Sequence, residues 1–129
     1  MRVSEAINAA DELRAGNKVP ITAKRRWLKS LDDTVYANII SKHEGAENIS
    51  APADYTLEDC EMLIPDTHSE VYVWFLVSQI DAALGESERY NTSAERYNTL
   101  YDAFLRWYTR EHTPINNARL RNVSRVRGV

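Results

Sequence analysis

The chain has 129 residues, 43% of them hydrophobic and 27% charged, with a formal net charge of −3. That length supports one domain able to bury about two thirds of its unfolded surface unaided, and the balance excludes a disordered polyelectrolyte. A single cysteine, Cys60, excludes an internal disulfide, and the longest apolar run, Val71 to Val77, falls far short of the roughly 20 residues of a membrane span.

Ser4, Glu5, Asp11 and Glu12 break any basic-then-apolar beginning, so the sequence predicts no export signal and a soluble protein made in the cytoplasm. Ser4 is the expected N-cap of a first helix through Ala15, with Gly16 as its left-handed stop. Ala6, Ile7, Ala10 and Leu13 form the predicted buried side. A second helix is expected after Pro20, capped by Thr22 and running to about His43 before Gly45 ends it. Trp27, Leu28, Leu31, Val35, Ile39 and Ile40 recur there at spacings of three and four, which makes one apolar stripe.

Residues 44 to 57 hold Gly45, Ser50, Pro52 and Asp54 among scattered apolar positions and read as a loop. Glu61 to Pro65 reads as extended, because proline disfavours helical backbone in the residue before it. A short strand and a single helical turn around Leu57 to Met62 both fit. Asp66, Thr67 and Ser69 offer caps for a third helix reaching Leu84, with Gly85 as terminator. Val71 to Val77 alone could be a buried strand, but Ser78 to Leu84 restores three-four spacing, so a central helix buried on most sides is expected.

The fourth helix should span Glu86 to Glu111, roughly 38 Å at 1.5 Å per residue, with Tyr90, Ala94, Tyr97, Tyr101, Phe104 and Tyr108 on its stripe. Within it Glu88-Arg89-Tyr90-Asn91-Thr92 repeats seven residues later as Glu95-Arg96-Tyr97-Asn98-Thr99, and two turns per seven residues keep both tyrosines on nearly one face. The short Gly85 connection makes helices three and four antiparallel neighbours. Tyrosine tolerates partial exposure, so Tyr90, Tyr97, Tyr101, Trp107 and Tyr108 are candidates for packing against a neighbouring subunit.

Pro114 closes the helical region. Beyond it, Arg119, Arg121, Arg125 and Arg127 occur without any acid, so a tail of +4 follows a body of −7, together the net −3. Such asymmetry suits an acidic partner surface or a polyphosphate. Ala118-Arg119-Leu120-Arg121 alternates as a strand does, yet the chain has no partner strand of comparable strength.

Nothing in the sequence assembles a catalytic constellation, a metal site or a cofactor site. His43, His68 and His112 have no second histidine or cysteine three or four residues away, and helix-end charge is the expected role of His43 and His112. Cys60 has no CxxC or histidine partner. Asp32-Asp33 and the Glu58, Asp59, Glu61 cluster read as solvated surface. The four glycines are isolated, so no phosphate loop exists. Stacking of nucleic-acid bases on Trp74, Trp107, Tyr97, Tyr101 and Tyr108 beside Arg96, Arg106 and Arg110 is the competing use of the aromatic stripe; core packing explains the helical spacing better.

Ser4-Glu5-Ala6, Ala10-Asp11-Glu12-Leu13, Arg26 to Asp32 and His43-Glu44-Gly45 resemble the start of a small protein of tailed bacteriophages and prophages. Leu63-Ile64-Pro65-Asp66, Glu70 to Val73, Ser78-Gln79-Ile80-Asp81, Arg89-Tyr90-Asn91, Phe104 with Trp107-Tyr108, Thr109-Arg110 and His112-Thr113-Pro114 continue the resemblance over most of the chain. The family it resembles is the head-to-tail connector, or head-completion adaptor. The resemblance implies a structural virion protein, assembled in the host cytoplasm and lodged at the head-tail interface. It implies a ring, usually of twelve copies, beneath the portal protein of the capsid, extending the DNA channel without sequence-specific contact to DNA and docking the next connector or the tail.

The expected fold is therefore all-α: a four-helix bundle of two helical hairpins with a long middle loop, residues 1–114, and an extended basic C-terminal arm, residues 115–129. Arg119, Leu120, Arg121, Val123, Arg125, Val126 and Arg127 are the candidate portal-binding residues, with Leu120, Val123 and Val126 as apolar anchors of an added strand or clasp. The alternative is a small helical DNA-binding protein using the tail arginines on phosphates, with steep salt dependence. A net-acidic body without a recognition-helix motif speaks against it.

Overall fold

The computed structural model describes residues 1–115, and those residues form an all-α fold of four helices: α1 Val3–Leu13, α2 Ile21–Asn38, α3 Glu70–Ala83 and α4 Ser87–Glu111. Three short 3-10 turns, Ile40–Lys42, Ala46–Asn48 and Asp66–His68, punctuate the connection between α2 and α3. Among the described residues there is no β-strand, only two isolated bridges, Arg2 with Glu61 and His43 with Pro114.

The central position expected for the third helix is observed. α3 packs most extensively along α4, next along α1, and also touches α2. Its apolar character explains this, since Val71, Tyr72, Val73, Leu76, Val77 and Ile80 are all buried and cover more than one face of the helix. α1 leans more on α3 than on α2. α2 stops at Asn38 instead of running to about His43; the expected stripe is buried at Leu28, Leu31 and Val35 within it and at Ile39 and Ile40 just beyond it, while Trp27 is half-buried.

Several local expectations are corrected. Ser4 does not cap α1: the helix begins at Val3, and Ser4 turns both its N–H (2.9 Å) and its hydroxyl (2.7 Å) to the carboxylate of Asp59. Glu5 accepts the Arg2 N–H instead, at 2.9 Å, satisfying one free donor of the helix start. Pro20 precedes α2 directly, and Thr22 lies inside the helix. Leu13 is exposed, leaving Val3, Ala6, Ile7 and Ala10 as the buried side of α1. Gly85 adopts φ +71°, a left-handed turn that lets α3 pass into α4 within a few residues.

The Glu61–Pro65 segment, expected to be extended, carries only an isolated bridge at Glu61 and bends at Leu63 and Ile64. It runs beside the start of the chain, with the Val3 N–H donating to the Cys60 carbonyl and the Met62 N–H to the Met1 carbonyl, both at 3.0 Å.

Candidate functional site

Two buried carboxylates organise the molecule, and the reading of Asp32 as solvated surface is overturned. Asp32 is 0% exposed. Its Oδ2 accepts from the Tyr55 hydroxyl at 2.5 Å and the Leu63 N–H at 3.0 Å, and its Oδ1 accepts from the Tyr72 hydroxyl at 2.6 Å. Tyr72 in turn accepts the Ile64 N–H at 2.7 Å. One side chain on α2 thus fastens the middle connection, at residues 55 and 63, to α3. Burial raises the Asp32 carboxyl above its ordinary value, against the lowering effect of its three donors. Burial and the neighbouring Asp32 push both phenols, Tyr55 and Tyr72, upward. Asp33, its sequence neighbour, is exposed and pairs with Lys29 at 2.7 Å.

Asp81 plays the corresponding part at the other end. It is 0% exposed, and Arg14 closes on it twice, Nε to Oδ1 at 2.7 Å and Nη2 to Oδ2 at 3.0 Å. The Ser93 hydroxyl donates to Oδ2 at 2.9 Å. The end of α1, the end of α3 and the first third of α4 therefore meet on one carboxylate. Directly above it, Leu13, Leu84 and Tyr90 are exposed, and shallow depressions there are lined by Leu13, Arg14, Leu84 and Arg89, and by Gly85, Glu86 and Tyr90.

The aromatic stripe on α4 is split between core and surface. Phe104 and Tyr108 belong to the core, Tyr108 being 4% exposed and ringed by His43, Phe104, Trp107 and His112. Tyr97 and Tyr101 are half-buried, Tyr97 against Phe75 at 5.3 Å between centroids. Burial pushes Tyr97 up to about 12. Trp107 is half-buried beside His68 at 5.0 Å, and Tyr90 is 40% exposed. Of the five residues expected to pack between subunits, Tyr108 thus faces the protein's own interior, where its helical phase places it with Phe104; the other four keep accessible surface. Arg96 lays its guanidinium 4.8 Å from the Trp74 ring, so this aromatic already has a cation over its face.

Arg119, Leu120, Arg121, Val123, Arg125, Val126 and Arg127 lie outside the described residues. Among the described residues no group of three or more His, Cys, Asp or Glu side chains is arranged to hold a metal ion, and no helix is long and apolar enough to cross a membrane. Cys60 is partly exposed, and its thiol is raised by burial and by Glu58, away from the thiolate form a nucleophile needs.

Asp81, Arg14 and Ser93 were not singled out by sequence reasoning, because their meeting depends on a pairing 67 residues apart. The available signal was positional: Asp81 follows Ile80 and stands four residues after Val77, on the buried side of an apolar helix. Comparison of the chain with protein-family models, with curated proteins and with solved structures finds no match in any of the three.

Proposed function

We propose that this chain is a head-to-tail connector of a tailed bacteriophage, a structural virion protein that forms a ring beneath the portal, extends the DNA channel and docks the next connector or the tail. The observation that carries the reading is the placement of α4. This helix of 25 residues, about 37 Å long, has α3 as its main neighbour, so most of its circumference stands open along the side of the molecule. An edge helix with half-buried Tyr97 and Tyr101 and an exposed Tyr90 suits side-by-side packing of identical copies, since tyrosine contributes contact area while keeping its hydroxyl wet.

The motifs that carry the family resemblance support the reading from a second direction. Ile64, Val71, Tyr72, Asp81, Phe104 and Tyr108, all within those motifs, are buried residues that define the packing of α3 with its neighbours. In this reading α1 with α2 and α3 with α4 work as two hairpins joined by the middle connection. In the same reading the arm expected from Ile115 onward, which apart from Ile115 lies outside the described residues, engages a portal subunit through its arginines and apolar anchors. The end built on Asp81, presenting the exposed Leu13, Leu84 and Tyr90, is a surface available to the next component.

Removal of residues 115–129 tests the arm. Co-sedimentation with the cognate portal should be lost while far-UV circular dichroism keeps its helical signal; full retention of binding would sink the arm assignment. Binding of the intact chain to DNA rather than to portal, falling steeply with salt, would favour the nucleic-acid reading.

A further inference from the structure

Two segments distant in sequence meet where α4 ends. The Glu44 N–H donates to the Thr113 carbonyl at 2.9 Å, and His43 bridges to Pro114. His43 is 6% exposed, and its Nδ1 lies 2.5 Å from the Ile39 carbonyl. A carbonyl can only accept, so Nδ1 carries a hydrogen there and Nε2 is left turned toward the Thr109 hydroxyl, at 3.4 Å. The imidazole also meets Tyr108 edge-on, with centroids 5.1 Å apart and planes at 89°. On the same tyrosine His112 stacks at 4.0 Å, and its Nδ1 donates to the Tyr108 carbonyl at 3.2 Å. Gly45, at φ +91°, turns the chain immediately after this contact, 3.9 Å from His112 where a Cβ would stand. Only glycine adopts that turn without strain.

We infer that His43 is a positioning residue for the C-terminal segment: it fastens the Thr109–Pro114 stretch to the 43–45 turn. That turn, and not α4 alone, then sets the path of the chain from His112 through Pro114. A helix end without such a clasp frays within its last turn. Here the last turn is held from both sides, by the bridge to Glu44 and by two imidazoles on Tyr108. The other end of the clasp is equally firm, because Ile39 and Ile40, just before His43, are core residues. The assignment is independent of the connector reading. If that reading holds, His43 also holds the stretch to which the portal-binding arm is joined.

Amide hydrogen exchange on the full chain tests it, read at Glu44, whose N–H makes the bridging bond. The His43→Ala variant should exchange at Glu44 about tenfold faster than the parent protein, while amides of Val71 to Ile80 keep their rates. His43→Gln, which can still reach Thr109, should recover part of the protection at Glu44. Two results overturn the inference: unchanged exchange at Glu44 in His43→Ala, or acceleration by the same factor throughout α3, which would make His43 a general stabiliser. Should His43→Ala fail to fold, Thr109→Val removes one contact of the clasp from an exposed position. Faster exchange confined to Glu44, His112 and Thr113 then supports the inference, and no change contradicts it.

Discussion

The Tyr55 hydroxyl donates a 2.5 Å hydrogen bond to Asp32, and by that contact a loop residue is tied to a carboxylate 23 positions earlier on α2. Tyr72 and the Leu63 N–H complete the set. Asp32→Ala would leave three buried donors without an acceptor, and removing one partner of such a set costs the desolvation of those that remain. A loss of about 3 kcal/mol or more is expected, since each stranded donor costs about 1–3 kcal/mol. Asp32→Asn keeps one acceptor and should cost about 1–2 kcal/mol. Urea denaturation measures both; equal stability of the alanine variant and the parent would refute the organising role.

Asp32 also gives a pH dependence of defined sign. Burial holds its folded-state carboxyl above the ordinary 3.8, so the folded chain binds the proton more tightly than the unfolded chain does. The stability this supplies is fully present below 3.8 and is lost as pH rises through the raised folded value. The parent protein should therefore lose stability relative to Asp32→Asn as pH rises across that window. A stability difference that does not vary with pH would contradict this. Asp54 and Asp59, lowered by hydrogen bonds from Thr56 and Ser4 respectively, act in the opposite sense, and comparing the two proteins cancels them.

At the alkaline end Tyr97, pushed up by burial from 10 to about 12, supplies stability that is present below pH 10 and lost as pH rises toward 12. Phenolate absorbance should show a step near pH 12 that is lost in Tyr97→Phe, while Tyr55 and Tyr72, pushed higher by burial and by Asp32, titrate later in both proteins. Persistence of that step in Tyr97→Phe would assign it to another phenol.

Arg14 and Asp81 form the second keystone. Arg14→Met leaves a buried, half-served carboxylate and should destabilise by about 3–5 kcal/mol, whereas the double change Arg14→Met with Asp81→Leu should recover most of the loss. A double-mutant cycle by thermal unfolding measures the coupling, and strictly additive effects would show that the pair is not energetically linked.

Much of this fold was readable in the chain. Gly85 and Pro114 bracket α4 closely, because a left-handed glycine and a ring-locked proline act locally. The apolar density of Val71 to Ile80 placed α3 at the centre for the same local reason. Asp32 was misread because an aspartate's burial depends on donors supplied from elsewhere: Tyr72 stands 40 residues away and Tyr55 lies in the loop. Its place among Leu28, Leu31 and Val35, on the buried stripe of α2, was the signal to weigh. Leu13 was misplaced for the opposite reason. Its periodicity suits the core, but α1 ends there and α3 no longer covers it.

Tyr90 separates assembly from folding. It is exposed on α4, so Tyr90→Lys should change monomer stability by no more than about 0.5 kcal/mol. In the connector reading the same change should weaken ring formation on the portal, measured by mass photometry of the complex. Undiminished rings would remove Tyr90 from the subunit contact.

The central claim is tested most directly by mixing the purified chain with its cognate portal and imaging the product by electron microscopy at several salt concentrations. The connector reading predicts an added ring at the narrow end of the portal, built from copies of this chain around a continuous channel. Portal particles that stay bare at every salt concentration would contradict it.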